Sequence, residues 1–212
     1  MNYKVIGAIG DSITNGYWDE EGLGWFGRLS QKIAYDFPLK YAFCNIAQSG
    51  DRVSDAYYRY SGDLMTRTID ILLIAVGTND VLRGNDIEAP TFISEYGRKT
   101  YWDKLLSLAL KSGSEVVVFD ILPPYEVLNP FVPDENRKLY FLNKDIEKYN
   151  DMLECICSEK GVKFVKRHDK WMERDLSGLY FDVVHPNADG HRLICEEAYD
   201  ELVRLKVIGD GL

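Results

Sequence analysis

The sequence predicts an α/β protein of three layers, with one sheet of about five parallel strands between two layers of helices. Two observations predict it. Short apolar runs closed by turn residues recur along the chain, the clearest being Ile71-Leu72-Leu73-Ile74-Ala75-Val76. A continuous run of this kind, covered on both faces, is what a central parallel strand requires. Between the runs lie stretches with apolar residues at helical spacing, and this alternation favours a parallel sheet joined by right-handed crossovers. The 212 residues fit one domain spanning 1–212, and no internal repeat, low-complexity tract or linker interrupts them.

In order, Val5 to Ile9 reads as the first buried strand and runs into Gly10-Asp11-Ser12. Asn15-Gly16 and Gly22 to Gly24 are expected to keep the chain in loop. Trp25, Leu29 and Ile33 recur as a helix with its exit at Pro38, and Tyr41 to Ala47 reads as the second strand, turning at Gln48 to Asp51. Val53 to Thr68 reads as a tyrosine-rich helix, and the strand Asp70 to Val76 ends in Gly77-Thr78-Asn79-Asp80. Phe92, Ile93, Tyr96, Trp102, Leu105, Leu106 and Ala109 make a helical stripe closed near Gly113. Glu115 to Leu122 reads as the fourth strand, stopped by Pro123-Pro124. The segment from there to Asp134 reads as a long loop, a candidate lid or substrate wall. A helix carrying Leu139, Leu142, Ile146, Tyr149, Leu153 and Ile156 ends at Gly161; Val162 to Val165 is a short fifth strand, and Leu193 to Leu205 a closing helix.

Composition removes several function classes. A net charge of −9 lacks the basic stripe that nucleic acid needs and disfavours anionic membrane surfaces. No run of eighteen apolar residues is present, so no membrane insertion is expected. The first strand starts within a few residues of Met1, which leaves no room for a signal peptide and points to the cytoplasm if Met1 is the native start. The four cysteines are scattered. Cys155 and Cys157 point roughly 200° apart on a helix and cannot share a metal, so all four are expected as reduced thiols and no metal site is predicted.

The strand ends carry the chemistry. Ser12 follows the first strand, Gly50 the second and Asn79 the third, and Asp182-Val183-Val184-His185-Pro186 precedes the last helix. Ligands of open parallel sheets bind at that edge. Alone, Ser12 reads as a turn or helix-capping residue and Asn79 as an Asx-turn. Together and in this order, the four segments resemble the sequence blocks of the SGNH (GDSL-type) esterase and lipase superfamily, from Gly10 to His185. In the second block Asn45 and Gly50 fit, while Ala47 stands where that family has glycine, and Ile13 replaces a common leucine. The resemblance implies the SGNH hydrolase fold, a flavodoxin-like doubly wound sheet. It also implies a serine esterase with no metal or organic cofactor and a small-molecule ester as its partner.

The residues support that chemistry on their own terms. A serine nucleophile needs a base, and the chain has three histidines. His168 lies among Arg167, Asp169 and Lys170 and is expected in solvent; His191 falls inside the last helix and reads as packing. His185 is held extended by the proline after it, with Asp182 three residues earlier placed to bind one ring nitrogen and leave the other facing Ser12. The backbone amides of Ser12 and Gly50, with the side-chain amide of Asn79, are candidate donors to an oxyanion; Asp11 and Asp80 read as turn-orienting residues. Tyr17, Trp18 and Tyr125 are candidate pocket residues, whereas Trp25 and Phe26 read as core. The expected reaction is hydrolysis of small acyl esters, acetyl among them, on a carbohydrate or other metabolite. The rivals are an acyltransferase using the same serine, a flavodoxin-like flavin or phosphate binder, and a silent sugar-binding relative. The loop after the first strand has no basic residue to favour the second, and intact Ser12, Asp182 and His185 speak against the third.

Overall fold

The structure is a computed structural model that describes residues 3–63 and 67–209. The elements run β1 (Lys4–Gly10), α1 (Ser12–Asn15), α2 (Gly24–Asp36), β2 (Tyr41–Asn45), α3 (Val53–Asp63), β3 (Ile71–Ala75), β4 (Arg83–Gly84), α4 (Glu95–Lys111), β5 (Glu115–Phe119), β6 (Phe131–Asp134), β7 (Arg137–Tyr140), α5 (Asn143–Lys160), β8 (Lys163–Val165), α6 (His168–Met172) and α7 (Ala188–Arg204). The main sheet has five strands in the order β2-β1-β3-β5-β8, all parallel. Its centre is buried on both sides because neighbouring residues of one strand feed different layers. Ile9, Ile74 and Val118 pack with α3, α4 and α5 through Val53, Trp102 and Tyr149. Ala8, Leu73 and Val117 pack with α2, α6 and α7 through Trp25, Leu29, Trp171 and Ala198. This is the expected three-layer fold, with Trp25 and Phe26 in the core.

Several expectations are corrected. The segment after β1 is not loop alone. Asp11 caps a single turn of helix, its Oδ1 accepting from the Ile13 amide at 3.0 Å, and Gly16 closes that turn in the left-handed region at φ 87°. The helix read from Val53 to Thr68 runs to Asp63, and residues 64–66 lie outside the described residues. The fourth helix starts at Glu95, capped by Ser94, so Phe92 and Ile93 precede it and Tyr96 points to solvent. Leu139 belongs to β7, not to α5. The long loop after β5 contains the strand β6, which pairs antiparallel with β7, and β7 pairs with β4 to make a second sheet of three strands. Pro130 and Pro133 masked this hairpin in the sequence, since proline argues against a strand except at an edge. No helix among the described residues is long and apolar enough to cross a membrane, and Cys44, Cys155, Cys157 and Cys195 are all free thiols.

Candidate active site

Adjacency in the sheet brings the first three segments together. β2, β1 and β3 are neighbours, so the chain leaves the same edge three times in succession, at Ile46, Asp11 and Val76. Close backbone approach holds the β1 exit in place. A Cβ on Gly10 would lie 2.3 Å from Thr14 Oγ1 and 2.5 Å from the Ala75 carbonyl oxygen, so only glycine fits under the α1 turn. The Gln48 amide donates to the Gly10 carbonyl at 3.1 Å, and Asn45 Nδ2 to the Thr14 carbonyl at 3.3 Å, tying the β2 exit to the β1 exit.

Ser12 sits at the start of α1, 8% exposed. Its Oγ lies 2.9 Å from His185 Nε2, across a sequence separation of 173 residues. On the other side of the imidazole, Nδ1 lies 2.7 Å from Asp182 Oδ2 and 2.9 Å from Oδ1. A carboxylate accepts only, so Nδ1 carries the proton and Nε2 is the acceptor facing the serine hydroxyl. The amides of Val184 and His185 both donate to Asp182 Oδ1 at 2.9 Å. Burial alone would raise the Asp182 carboxyl, but the His185 hydrogen bond and charge, with those two amides, hold it below its usual value. The 179–187 segment is anchored at several points. Phe181 N donates to the His185 carbonyl at 2.8 Å, Asn187 N to the Leu179 carbonyl at 3.0 Å, and Tyr180 Oη, at 2.5 Å, to the carbonyl of Pro123. Asn187 then caps α7 through the Gly190 amide.

The predicted oxyanion donors lie on the same edge. Among the described residues, neither the Ser12 nor the Gly50 amide donates a hydrogen bond inside the protein. Gly50 adopts φ 86°, which a side chain rarely allows. Asn79, on a short 3-10 turn (Thr78–Asp80), spends one Nδ2 hydrogen on the Asp51 carbonyl at 3.0 Å, which orients the amide and leaves its second hydrogen. Asp11 and Asp80 behave as turn-orienting residues. Asp80 is fully buried and accepts from the Val53 amide at 3.2 Å and from Tyr149 Oη at 2.9 Å.

Aromatic rings surround the imidazole. The Tyr17 ring lies 5.1 Å from it and that of Phe131, on β6, 6.0 Å. Trp18 lies 4.9 Å from Tyr17 and stacks on Phe181 at 4.7 Å. Tyr125 is placed differently: its ring is 6.5 Å from Tyr180, and it packs against the α2–α7 side of the core. Sequence reasoning missed Phe131 and the pairing of Phe181 with Trp18. Phe181 sits next to Asp182 and was visible there, whereas Phe131 lay hidden in a proline-rich stretch. His168 is buried rather than solvated, because Nε2 reaches Asn143 Oδ1 at 2.8 Å and its amide donates to Asp120 at 2.7 Å. His191 is packed within α7, as expected, and burial pushes it down to about 4.

A parallel α/β sheet with a hydroxyl, an imidazole and a carboxylate in line at its carboxyl edge places the chain in the class of α/β ester hydrolases. Residues 8–193 match the GDSL-like lipase/acylhydrolase family, and the chain belongs to that family. It is a serine ester hydrolase, which sets aside the flavin-binding reading. An acetylxylan esterase of Geobacillus stearothermophilus is 27% identical over 213 residues, covering 92% of this chain and 91% of that protein. Among solved structures, the psychrotrophic esterase EstA of a Pseudoalteromonas species superposes with a TM-score of 0.74 at 16% identity, covering 97% of this chain and 100% of that one. The acetyl-xylooligosaccharide esterase Axe2 of Geobacillus stearothermophilus, in a mutant form, superposes with a TM-score of 0.73 at 18% identity, covering 95% of each chain.

Proposed function

We propose that this enzyme hydrolyses small acyl esters, acetyl esters first among them, through an acyl-enzyme on Ser12. The observation that carries the reading is the unbroken line from Ser12 Oγ through the His185 ring to Asp182, with links of 2.9 and 2.7 Å. In this mechanism His185 Nε2 takes the Ser12 proton as Oγ attacks the carbonyl carbon, and Asp182 stabilises the imidazolium that forms. The carbonyl oxygen becomes negative and is received by the Ser12 and Gly50 amides and the free Nδ2 hydrogen of Asn79. His185 returns the proton to the departing alcohol. Water, deprotonated by the same nitrogen, then cleaves the acyl-enzyme, releasing the acid and restoring Ser12. The acetyl preference and a carbohydrate alcohol draw their support from the acetylxylan esterase relative.

The test is hydrolysis of p-nitrophenyl acetate by wild type, Ser12→Ala and Asn79→Ala, with products analysed in the presence of an added alcohol. Ser12→Ala is expected to abolish turnover with the fold intact, and Asn79→Ala to lower kcat by roughly 100- to 1000-fold, the range for one oxyanion donor. Free acetate is expected as the main product. Full turnover by Ser12→Ala would overturn the mechanism, and exclusive transfer to the alcohol would make the enzyme an acyltransferase.

A further inference from the structure

We propose that the stacked rings of Trp18 and Phe181 are the platform for the alcohol half of the substrate, and that this alcohol is a ring. The proposal rests on the roles given above to Ser12 and His185, and it names the half of the ester that the rest of the site leaves undefined.

Direction comes from the imidazole. His185 Nε2 faces Ser12 Oγ at 2.9 Å and, in the reaction proposed, hands its proton to the departing oxygen, so the alcohol must leave on the imidazole side. In the same reaction the carbonyl oxygen turns to the Ser12, Gly50 and Asn79 donors, so what lies beside the imidazole faces the departing alcohol. The aromatic residues gather on the imidazole side: Tyr17 at 5.1 Å from the His185 ring, Phe131 at 6.0 Å, and Trp18 at 4.9 Å from Tyr17 with Phe181 stacked beyond it. They are therefore placed to touch the leaving alcohol rather than the acyl chain.

The second observation is the state of the pair itself. Trp18 is 44% exposed and Phe181 50% exposed, although their rings lie 4.7 Å apart and within 21° of parallel. Large rings are ordinarily used to fill a core or an interface; here two of them, from distant segments, are held together at the surface beside the site. Trp18 also adopts φ 61°, a left-handed backbone that a bulky side chain rarely takes and that tends to persist where function holds it. The loop is pinned from below to keep it so. Asp19, the next residue, accepts from the Leu23 and Gly24 amides at 2.9 and 2.6 Å and pairs with Arg28 at 2.5 Å. A flat apolar face fixed in this way suits the C–H face of a sugar ring or an aryl ring, and offers little to a short open chain.

The experiment compares three acetates that differ only in the alcohol, namely ethyl acetate, phenyl acetate and a mono-acetylated methyl xylopyranoside, with phenyl butyrate beside them to read the acyl side. The readout is the ratio of kcat/KM for each ring ester to that for ethyl acetate. Trp18→Asn is the main variant, because asparagine tolerates the left-handed backbone. It is expected to lower at least one ring-to-ethyl ratio by about tenfold, mainly through KM, the scale of losing one good stacking contact. Trp18→Tyr is expected to restore most of that ratio, and Phe181→Leu, from the other side of the pair, to reproduce the loss. The ester whose ratio falls more identifies the ring as sugar or aryl. Unmoved ratios in both Trp18→Asn and Phe181→Leu would overturn the proposal. So would a change in the acetate-to-butyrate preference on phenyl esters in place of the ring effect, or a change only in oligomeric state by gel filtration. Ser12→Ala runs beside them, so a failure of the serine mechanism is read separately from a failure of the platform.

Discussion

Asp80 shows how one buried carboxyl ties the site to the pH behaviour of the whole chain. It has no solvent exposure. Burial pushes it up to about 7, against the Tyr149 hydroxyl, the Val53 amide and the Arg98 charge that favour its ionised form, while the nearby Asp11 charge adds to the rise. Asp11, under Ser12, is raised by burial to about 6. Both shifts lie above the ordinary carboxyl value, so between about pH 4 and pH 7 the folded protein binds protons that the unfolded chain has already released. Stability from these groups is therefore fully present below about pH 4 and is lost as the pH rises through 7. Urea unfolding at pH 5 and pH 8 should show the wild type losing stability over that interval, and Asp80→Asn losing less of it. An identical decline in both proteins would refute the assignment to Asp80. Asp182 has the opposite shift and titrates below this window. His191, lowered to about 4, adds stability as the pH rises to its ordinary value, but equally in both proteins, so the difference between wild type and Asp80→Asn still reads Asp80.

The exit from β1 into α1 is the element on which the site's geometry turns. Gly10→Ala forces a methyl group toward Thr14 Oγ1 and the Ala75 carbonyl, both closer than 3 Å to the new Cβ position. Crowding of this kind typically costs about 1–3 kcal/mol. Relief requires α1 to move, and Ser12 moves with it. Thermal melts should show the destabilisation, and ester turnover should fall further than the loss of folded protein accounts for. Turnover falling only in step with folded protein would mean that α1 tolerates the methyl.

Elements differ in how far they could be read in advance, and the reason is where their stabilisation comes from. β1 and β3 were legible because burial on both faces writes a continuous apolar run into a few residues. The turns after β1, β2 and β3 read singly as caps and turns, and it is their order, with Asp182 and His185 ahead of the last helix, that made them legible as chemistry. α1 was not legible, since four residues are too few for a helical period to register. The β6–β7 hairpin was not legible either: its strands are mostly exposed, one contains Pro133, and pairing with the two-residue strand β4 is a tertiary event. Phe131 therefore stayed hidden as a neighbour of His185. His168 was misjudged for a related reason, because its charged neighbours in sequence say nothing of Asn143, the partner on α5 that its burial supplies.

At the scale of the molecule, the site is a product of the whole sheet rather than of any one segment. Ser12 and His185 meet across 173 residues of chain, and three adjacent strands must be in register before the Ser12, Gly50 and Asn79 turns share an edge. The two apolar layers are not independent, because the same strands feed both. Leu73 and Ile74 are consecutive in β3 and lie in different layers. Unfolding α3, α4 and α5 would expose one face of the strands that the opposite layer depends on, so neither half has a stable state alone. Tryptophans report on both sides: Trp102 is buried in one layer, Trp25 and Trp171 in the other. In urea, tryptophan fluorescence, far-UV circular dichroism and esterase activity are accordingly expected to fall along one curve with a common midpoint. The measurement is cleanest in Trp18→Asn, which removes the half-exposed tryptophan at the site. A fluorescence change in two steps, or secondary structure surviving on one face after the other has opened, would mean that the layers fold separately. Ser12 would then depend on less of the chain than the shared strands require.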